Sequence, residues 1–428
     1  MVSYRALLTS FVASTLLSVT QAYRPGDQIC SYSAGTTCPV DSLKLSTTDG
    51  SVLIYPGGNT RCAFDDFADA KSGFKTNSTY FFQVFPKPKR EKLLLMFQGG
   101  GACIDSYTCN FALQCALGNG RTFTTVATAS STGVFNSSDP KNLFNDWNIV
   151  HIPYCTGDLH IGNKVLDGAD TGLEALFNQP QCTNLGKKMH LNGFENTKAA
   201  LAWAKANYPQ VDDLVISGMS AGSLAAQALA VYVGDMWKVQ SGSVRYAVLA
   251  DSYMGVLPAE RTAGNVINFY GTCDLDLKLP SSVVDSCQAK TTTIDEMVTA
   301  PLKLLPQSDW VFINSKGDQT QRYFYQVAKD GVFGYPFANI LSEADLYTGM
   351  SKLVDAYKAV SSHVSSYFVN GEQHVFLLGN KYYDTVSDAG QKLGDFLAQW
   401  LSQLTEPTGA PEPTPTSSAP SPSVRPAC

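Results

Sequence analysis

The sequence has no surplus of positive charge: 31 Lys and Arg stand against 37 Asp and Glu, a net charge of -6 with histidines neutral. A protein that grips phosphate backbones needs a basic stripe, so nucleic acid is excluded as a partner. Charged residues are scarce at 16%, against 44% hydrophobic, a balance that excludes disorder as the main state. Past Leu17 no apolar run approaches the roughly 20 residues that a helix needs to span a bilayer without meeting a charge or a turn residue. No internal repeat is found. The cysteines include no C-x2-C pair of the kind zinc sites use, and no apolar stretch follows the last residues to signal a lipid anchor.

At the amino terminus Arg5 precedes an apolar run from Ala6 to Leu17 and then small residues up to Ala22, the layout of a cleaved signal peptide. Residues 1–22 are therefore expected to be removed, and the chain to be secreted from Tyr23 onward. All eleven cysteines lie beyond that point, where an oxidising compartment bridges most of them. The odd total leaves one unpaired, with Cys428 the candidate. Asn77 and Asn136 each open an N-glycosylation sequon. Residues 405–428 hold seven prolines among Ser, Thr and Ala and no stripe that buries a face, so they read as a tail, with wall or matrix association as one role. A single catalytic domain is expected over residues 23–404.

Within that span, short apolar runs read as buried strands: Leu93 to Phe97, Ile149 to Tyr154, Leu214 to Ser217, Tyr246 to Leu249, Trp310 to Ile313 and Tyr367 to Val369. Helical patterns alternate with them. Phe194, Thr197, Leu201, Ala204 and Tyr208 share one face before Pro209. The segment Ala221 to Trp237 is rich in Ala, Leu and Val, His363 falls in a helical pattern running from Leu346 to Val364, and Leu393 to Leu404 gives a closing amphipathic helix. This alternation predicts an α/β fold: a mostly parallel sheet with helices on both faces, ligands meeting it at the strands' carboxyl ends.

The chemistry concentrates at G-x-S-x-G, Gly218 to Gly222. It stands between a buried strand and an Ala-rich helix, as a nucleophile elbow requires, and the tight turn leaves no room for a Cβ at either glycine. Ser220 is the candidate nucleophile. A serine hydroxyl needs a base, in general a histidine oriented by a carboxylate. Of the five histidines only His363 and His374 follow Ser220. His374, on a Gly-containing loop past a strand, suits the base. Asp318, past Trp310 to Ile313, suits the orienting acid, and Asp251, past Tyr246 to Ala250, reads as support for the elbow. Gly99 to Gly101 follow another strand and precede Cys103, which can pin the loop, so their backbone N–H groups pair naturally with that of Ala221 as an oxyanion hole.

Taken in order, Gln98 to Cys103 with Cys109, Trp147 to Asp158, Ser217 to Gly222, Leu249 to Ser252, Ile313 to Asp318 and the loop at His374 resemble the pectin acetylesterase and Notum family of secreted serine esterases. The resemblance implies an α/β-hydrolase-type core with disulfide-bonded insertions. It assigns Ser220, Asp318 and His374 as the triad, and Gly100, Gly101 and Ala221 to the oxyanion hole. It also implies O-acetyl esters of pectin-like polysaccharide as substrate, a lipid-deacylase activity on an acylated protein as the alternative, and no cofactor. A noncatalytic wall-binding protein of the same fold is the rival of another class. Two departures stand out: Ala102 replaces an aromatic residue common in the family, and Asn370 to Gln373 lack a cysteine found in plant relatives. His151, Cys155, Asp158 and His160 carry zinc-binding types at irregular spacing and read as shaping the cleft. Lys87, Lys89, Arg90 and Lys92 read as a solvated loop between strands.

Overall fold

The computed structural model describes residues 27–33, 35–68, 75–113, 128–129, 131–167, 188–331 and 337–404. The expected signal peptide, the proline-rich tail, Cys115, Cys182 and Cys428 lie outside them.

Nine strands form the central sheet: β1 Ile29–Ser31, β2 Val52–Tyr55, β3 Phe82–Phe85, β4 Lys92–Phe97, β5 Asn148–Ile152, β6 Asp213–Met219, β7 Arg245–Asp251, β8 Asp309–Ser315 and β9 Val364–Val369. Their spatial order is β1-β2-β3-β5-β4-β6-β7-β8-β9. Only β3 runs against its neighbours. Each of the six apolar runs read from the sequence falls on a strand of this sheet. The structure adds the shorter β1, β2 and β3 at one edge.

Alternation along the central strands sorts side chains onto two faces. Leu95, Phe97, Leu214, Ile216, Val248 and Phe312 belong to one buried cluster, while Leu94, Met96, Val215, Leu249, Val311 and Ile313 belong to the other. Burial on both faces is why these strands are apolar without interruption. The first face is covered by helices α1 Gly193–Asn207, α2 Ala221–Ala228 and α3 Ala230–Met236, and by α4 Ile294–Leu304 beyond them. The second packs on Phe135, Phe144, Trp147 and Tyr382 and on the closing helix, Leu393–Ser402.

Two helical readings need correction. Ala221 to Trp237 is not one helix but two, broken at Leu229. His363 is not on a helix: that helix, Glu343–Val360, ends three residues earlier, and His363 sits in the turn into β9 with Nδ1 3.2 Å from Asp309 Oδ1. An apolar period continuing across a helix-to-strand turn carried the pattern past the true end.

Among the described residues, disulfides join Cys30 to Cys38, Cys62 to Cys155, Cys103 to Cys109 and Cys273 to Cys287. The basic segment Lys87 to Lys92 links β3 to β4, with Arg90 paired to Asp41 and Lys92 to Asp146. No helix among the described residues is long and apolar enough to cross a membrane.

Candidate active site

Strand β6 ends at Met219, and Ser220 follows with φ 55° and ψ -120°. A non-glycine residue in such a region costs on the order of 1–3 kcal/mol and persists only where its surroundings over-determine it. They do so here by crowding. A Cβ added at Gly218 would press on the Gly222 carbonyl, and one at Gly222 on the Phe97 carbonyl. A Cβ at Gly99 would lie 2.9 Å from that of Ser220. The Ser220 N–H donates to the Asp251 carbonyl at 2.8 Å, and the Ser220 carbonyl accepts from the Ser223 N–H at 2.9 Å, opening α2. The side chain caps no helix N–H, so its hydroxyl is not spent on the turn.

Strands β8 and β9 lead into the other two candidate triad residues, Asp318 and His374. Asp318, three residues past β8, is fully buried. Its Oδ1 accepts from the Gln321 N–H at 3.0 Å, which caps the helix Gln319–Asp330, and its Oδ2 accepts from Gln321 Nε2 at 3.0 Å. The same Oδ2 accepts from His374 Nδ1 at 2.7 Å. With Nδ1 donating, a neutral imidazole presents Nε2 as an acceptor. Nε2 is buried and has no hydrogen-bond partner among the described residues. The structure therefore joins Asp318 to His374 and leaves the step from Nε2 to the Ser220 hydroxyl open, a contact that in free enzymes often closes only when substrate binds.

Asp251 does more than support the elbow. While its carbonyl holds Ser220, its carboxylate reaches the histidine loop: Oδ2 accepts from the N–H groups of Phe376 and Leu377 at 2.8 and 2.9 Å. Oδ1 accepts from the Ser252 hydroxyl at 2.6 Å, and that hydroxyl oxygen accepts from the Val375 N–H at 2.8 Å. Val375 needs the grip, since φ of 55° is an outlier for a β-branched residue. Burial pushes the Asp251 carboxyl up, against the pull of these donors. Sequence reasoning missed Ser252; its place beside a strand-end acid was the only signal.

Gly101, with φ 82°, and Ala221 line a pocket together with Ser220. Gly100 adjoins it in the same loop. That loop is tied down from several sides. Gln98 N–H donates to the Ile152 carbonyl at 3.0 Å, Cys103 N–H donates to the Gly157 carbonyl at 2.8 Å, and the Cys103–Cys109 disulfide closes its far end. His160 Nε2 donates to the Gln98 carbonyl at 2.8 Å, and burial lowers His160 to about 4, which keeps it neutral. Cys155 is bridged to Cys62. Asp158 accepts from Thr156 Oγ1 and from the Gly193 N–H at the start of α1, at 2.6 and 2.7 Å. These residues serve the cleft as struts, and among the described residues no cluster of three His, Cys, Asp or Glu side chains is arranged to hold a metal ion.

The pocket beside Ser220 is a cavity of about 90 Å³. Ala102, Ile104, Leu159, Val266, Met297 and Phe324 are among its apolar lining residues.

Sheet order and the sharp strand-to-helix turn at Ser220 put the chain in the α/β-hydrolase class of folds. A crystal structure of the Wnt deacylase Notum from Drosophila shares that fold with a TM-score of 0.50 at 15% identity, over 81% of this chain and 96% of that one. No curated protein sequence matches the chain. The family model described as pectinacetylesterase matches residues 75–290, half of the chain, and the protein belongs to that family, an ester hydrolase of the carboxylesterase type.

Proposed function

We propose that the protein is a secreted serine carboxylesterase that removes O-acetyl groups from a pectin-like polysaccharide through an acyl-enzyme on Ser220. The observation that carries this reading is the strained serine turn two strands away from the buried Asp318–His374 pair, with one residue, Asp251, hydrogen-bonded toward both. In this reading His374 Nε2 takes the hydroxyl proton as Oγ attacks the ester carbonyl. Asp318 holds the tautomer and stabilises the imidazolium. Backbone N–H groups of Gly100, Gly101 and Ala221 meet the developing oxyanion, each worth roughly 3 kcal/mol of barrier. His374 then returns the proton to the leaving alcohol, and water repeats the cycle on the acyl-enzyme. No cofactor takes part.

The family supports an acetyl ester and a polysaccharide alcohol. The cysteines and the Arg5 to Ala22 segment support secretion, and the tail offers a tether to a wall or matrix. The apolar pocket supports a second reading, the deacylation of a longer acyl chain, because an acetyl group would not reach most of its lining. Purified protein is expected to release acetate from acetylated pectin faster than from acetylated xylan, and Ser220→Ala to lower turnover by at least about a thousandfold. Unchanged turnover in that variant would rule out the acyl-enzyme on Ser220, and no turnover by the unaltered protein would leave a wall-binding protein as the better description. A rate rising from acetyl to octanoyl nitrophenyl esters would favour the longer acyl donor.

A further inference from the structure

We infer that the pocket beside Ser220 is built for an acyl group carrying a hydroxyl at its far end, with Gln227 as the acceptor of that hydroxyl. This rests on the ester-hydrolase reading of Ser220 and, in place of acetyl, specifies the acyl donor of its longer-chain form.

Ser220, Ala221, Leu224, Gln227 and Ala228 all line the pocket, the spacing of one helical face, so α2 is its floor. Every side chain that α2 turns toward it beyond Ser220 is apolar except Gln227, which is 3% exposed. Gln227 Nε2 donates to the carbonyls of Tyr253 and Ser223 at 2.9 and 3.1 Å. Carbonyls only accept, so the amide cannot be turned over without setting oxygen against oxygen. Its Oε1 is therefore fixed as the remaining group, and it is buried with no hydrogen-bond partner among the described residues. A methionine would fill the same space without leaving a buried acceptor unsatisfied, a defect that native structures rarely carry without a reason.

Length points the same way. Gln227 follows Ser220 by seven helical positions, about 10 Å along the axis at 1.5 Å per residue. A 4-hydroxycinnamoyl group spans about 8 Å from carbonyl carbon to phenolic oxygen by standard bond geometry, and a hydrogen bond adds about 3 Å. An 8-hydroxyoctanoyl chain reaches comparably. An acetyl group stops far short, and an unsubstituted chain covers Oε1 with carbon.

The test compares matched methyl esters on the full-length protein: 4-hydroxycinnamate against cinnamate, and 8-hydroxyoctanoate against octanoate. In one pair or both, kcat/KM is expected to favour the hydroxylated ester by about tenfold or more, the scale of leaving a buried acceptor unpaired. The pair showing the preference identifies the aryl or the aliphatic source. Gln227→Met is expected to bring that ratio near one. Equal rates within both wild-type pairs, or a ratio that survives in Gln227→Met, would overturn the inference. Calorimetric binding of the same pairs to the Ser220→Ala protein separates the two layers. A hydroxyl preference in binding without wild-type turnover removes the esterase reading and keeps the pocket assignment; turnover and binding that both ignore the hydroxyl remove the assignment and keep the esterase.

Discussion

Asp251 is the residue on which the arrangement of the site turns. Its carboxylate accepts from two main-chain N–H groups of the histidine loop and from Ser252, which in turn accepts from Val375. Replacing it with Asn removes one acceptor oxygen and puts an amide donor against donors. Asp251→Asn is expected to lower kcat by about 100-fold, the scale of an ångström-sized misplacement of a reacting group. KM for a short nitrophenyl ester should stay within about twofold, because the acyl pocket is not touched. Stopped-flow and steady-state assays on that ester check both. A fall in KM-based affinity with kcat intact would assign Asp251 to binding instead. Ser220, Asp318 and His374 were legible as candidates because each follows an apolar run that marks a strand's end. The Asp251–Ser252 clamp was not, because its partners are backbone N–H groups more than 120 positions away, and main-chain donors leave no mark in residue types.

At the scale of elements, the strand–turn–helix β6–α2 depends on absent side chains. Gly222 packs its Cα against the Phe97 carbonyl of the neighbouring strand, and backbone cannot swing aside as a side chain would. Gly222→Ala is expected to destabilise the fold by roughly 1–3 kcal/mol or more through overpacking, read as a lower denaturant midpoint with an unchanged slope. It should also displace Ser220 enough to depress turnover in whatever protein remains folded. The six long strands were readable because burial on both faces makes a parallel strand apolar throughout. Strands β1 to β3 were not, since three or four residues carry too little pattern. The break at Leu229 lies between two equally apolar helices, so periodicity alone did not mark it. Gln227 was invisible for a related reason: in the sequence it is one polar residue on an otherwise apolar helix, and only the fold reveals that its amide is pinned on one side and bare on the other.

Across the whole molecule, two buried imidazoles and the buried acids Asp158 and Asp251 pull stability in opposite directions as pH falls. Burial lowers His151 to about 3 and His160 to about 4, and raises Asp158 to about 6. The imidazoles take up protons more readily when unfolded, so their contribution is full above about pH 6.5 and falls as pH drops toward 4. Asp158 acts in reverse: its proton is held better by the folded state between about pH 4 and 6, which adds stability as pH falls through that window. Asp251, also raised by burial, acts in the same sense as Asp158, so the decline set by the two imidazoles is steepest above about pH 6, before the buried acids take up their protons. Urea midpoints are expected to decline as pH is lowered from about 7 to 6, and His160→Gln, which retains a donor for the Gln98 carbonyl, to flatten the decline. A midpoint that holds or climbs over that range would reverse the assignment. The fold class was legible from strand–helix alternation and the ester chemistry from motif order. The disulfide map was not, since spacing alone does not fix partners; Cys62 and Cys155 are 93 positions apart and are brought together only by the fold.

One consequence follows from Asp251 gripping Ser220 by its main chain and the His374 loop by its side chain. The central strand that carries it is the shared mount of the two groups proposed to react, so a displacement of β7 would carry both. Natural drift in the outer loops can then retune which esters are admitted while the alignment of the reaction itself is inherited unchanged.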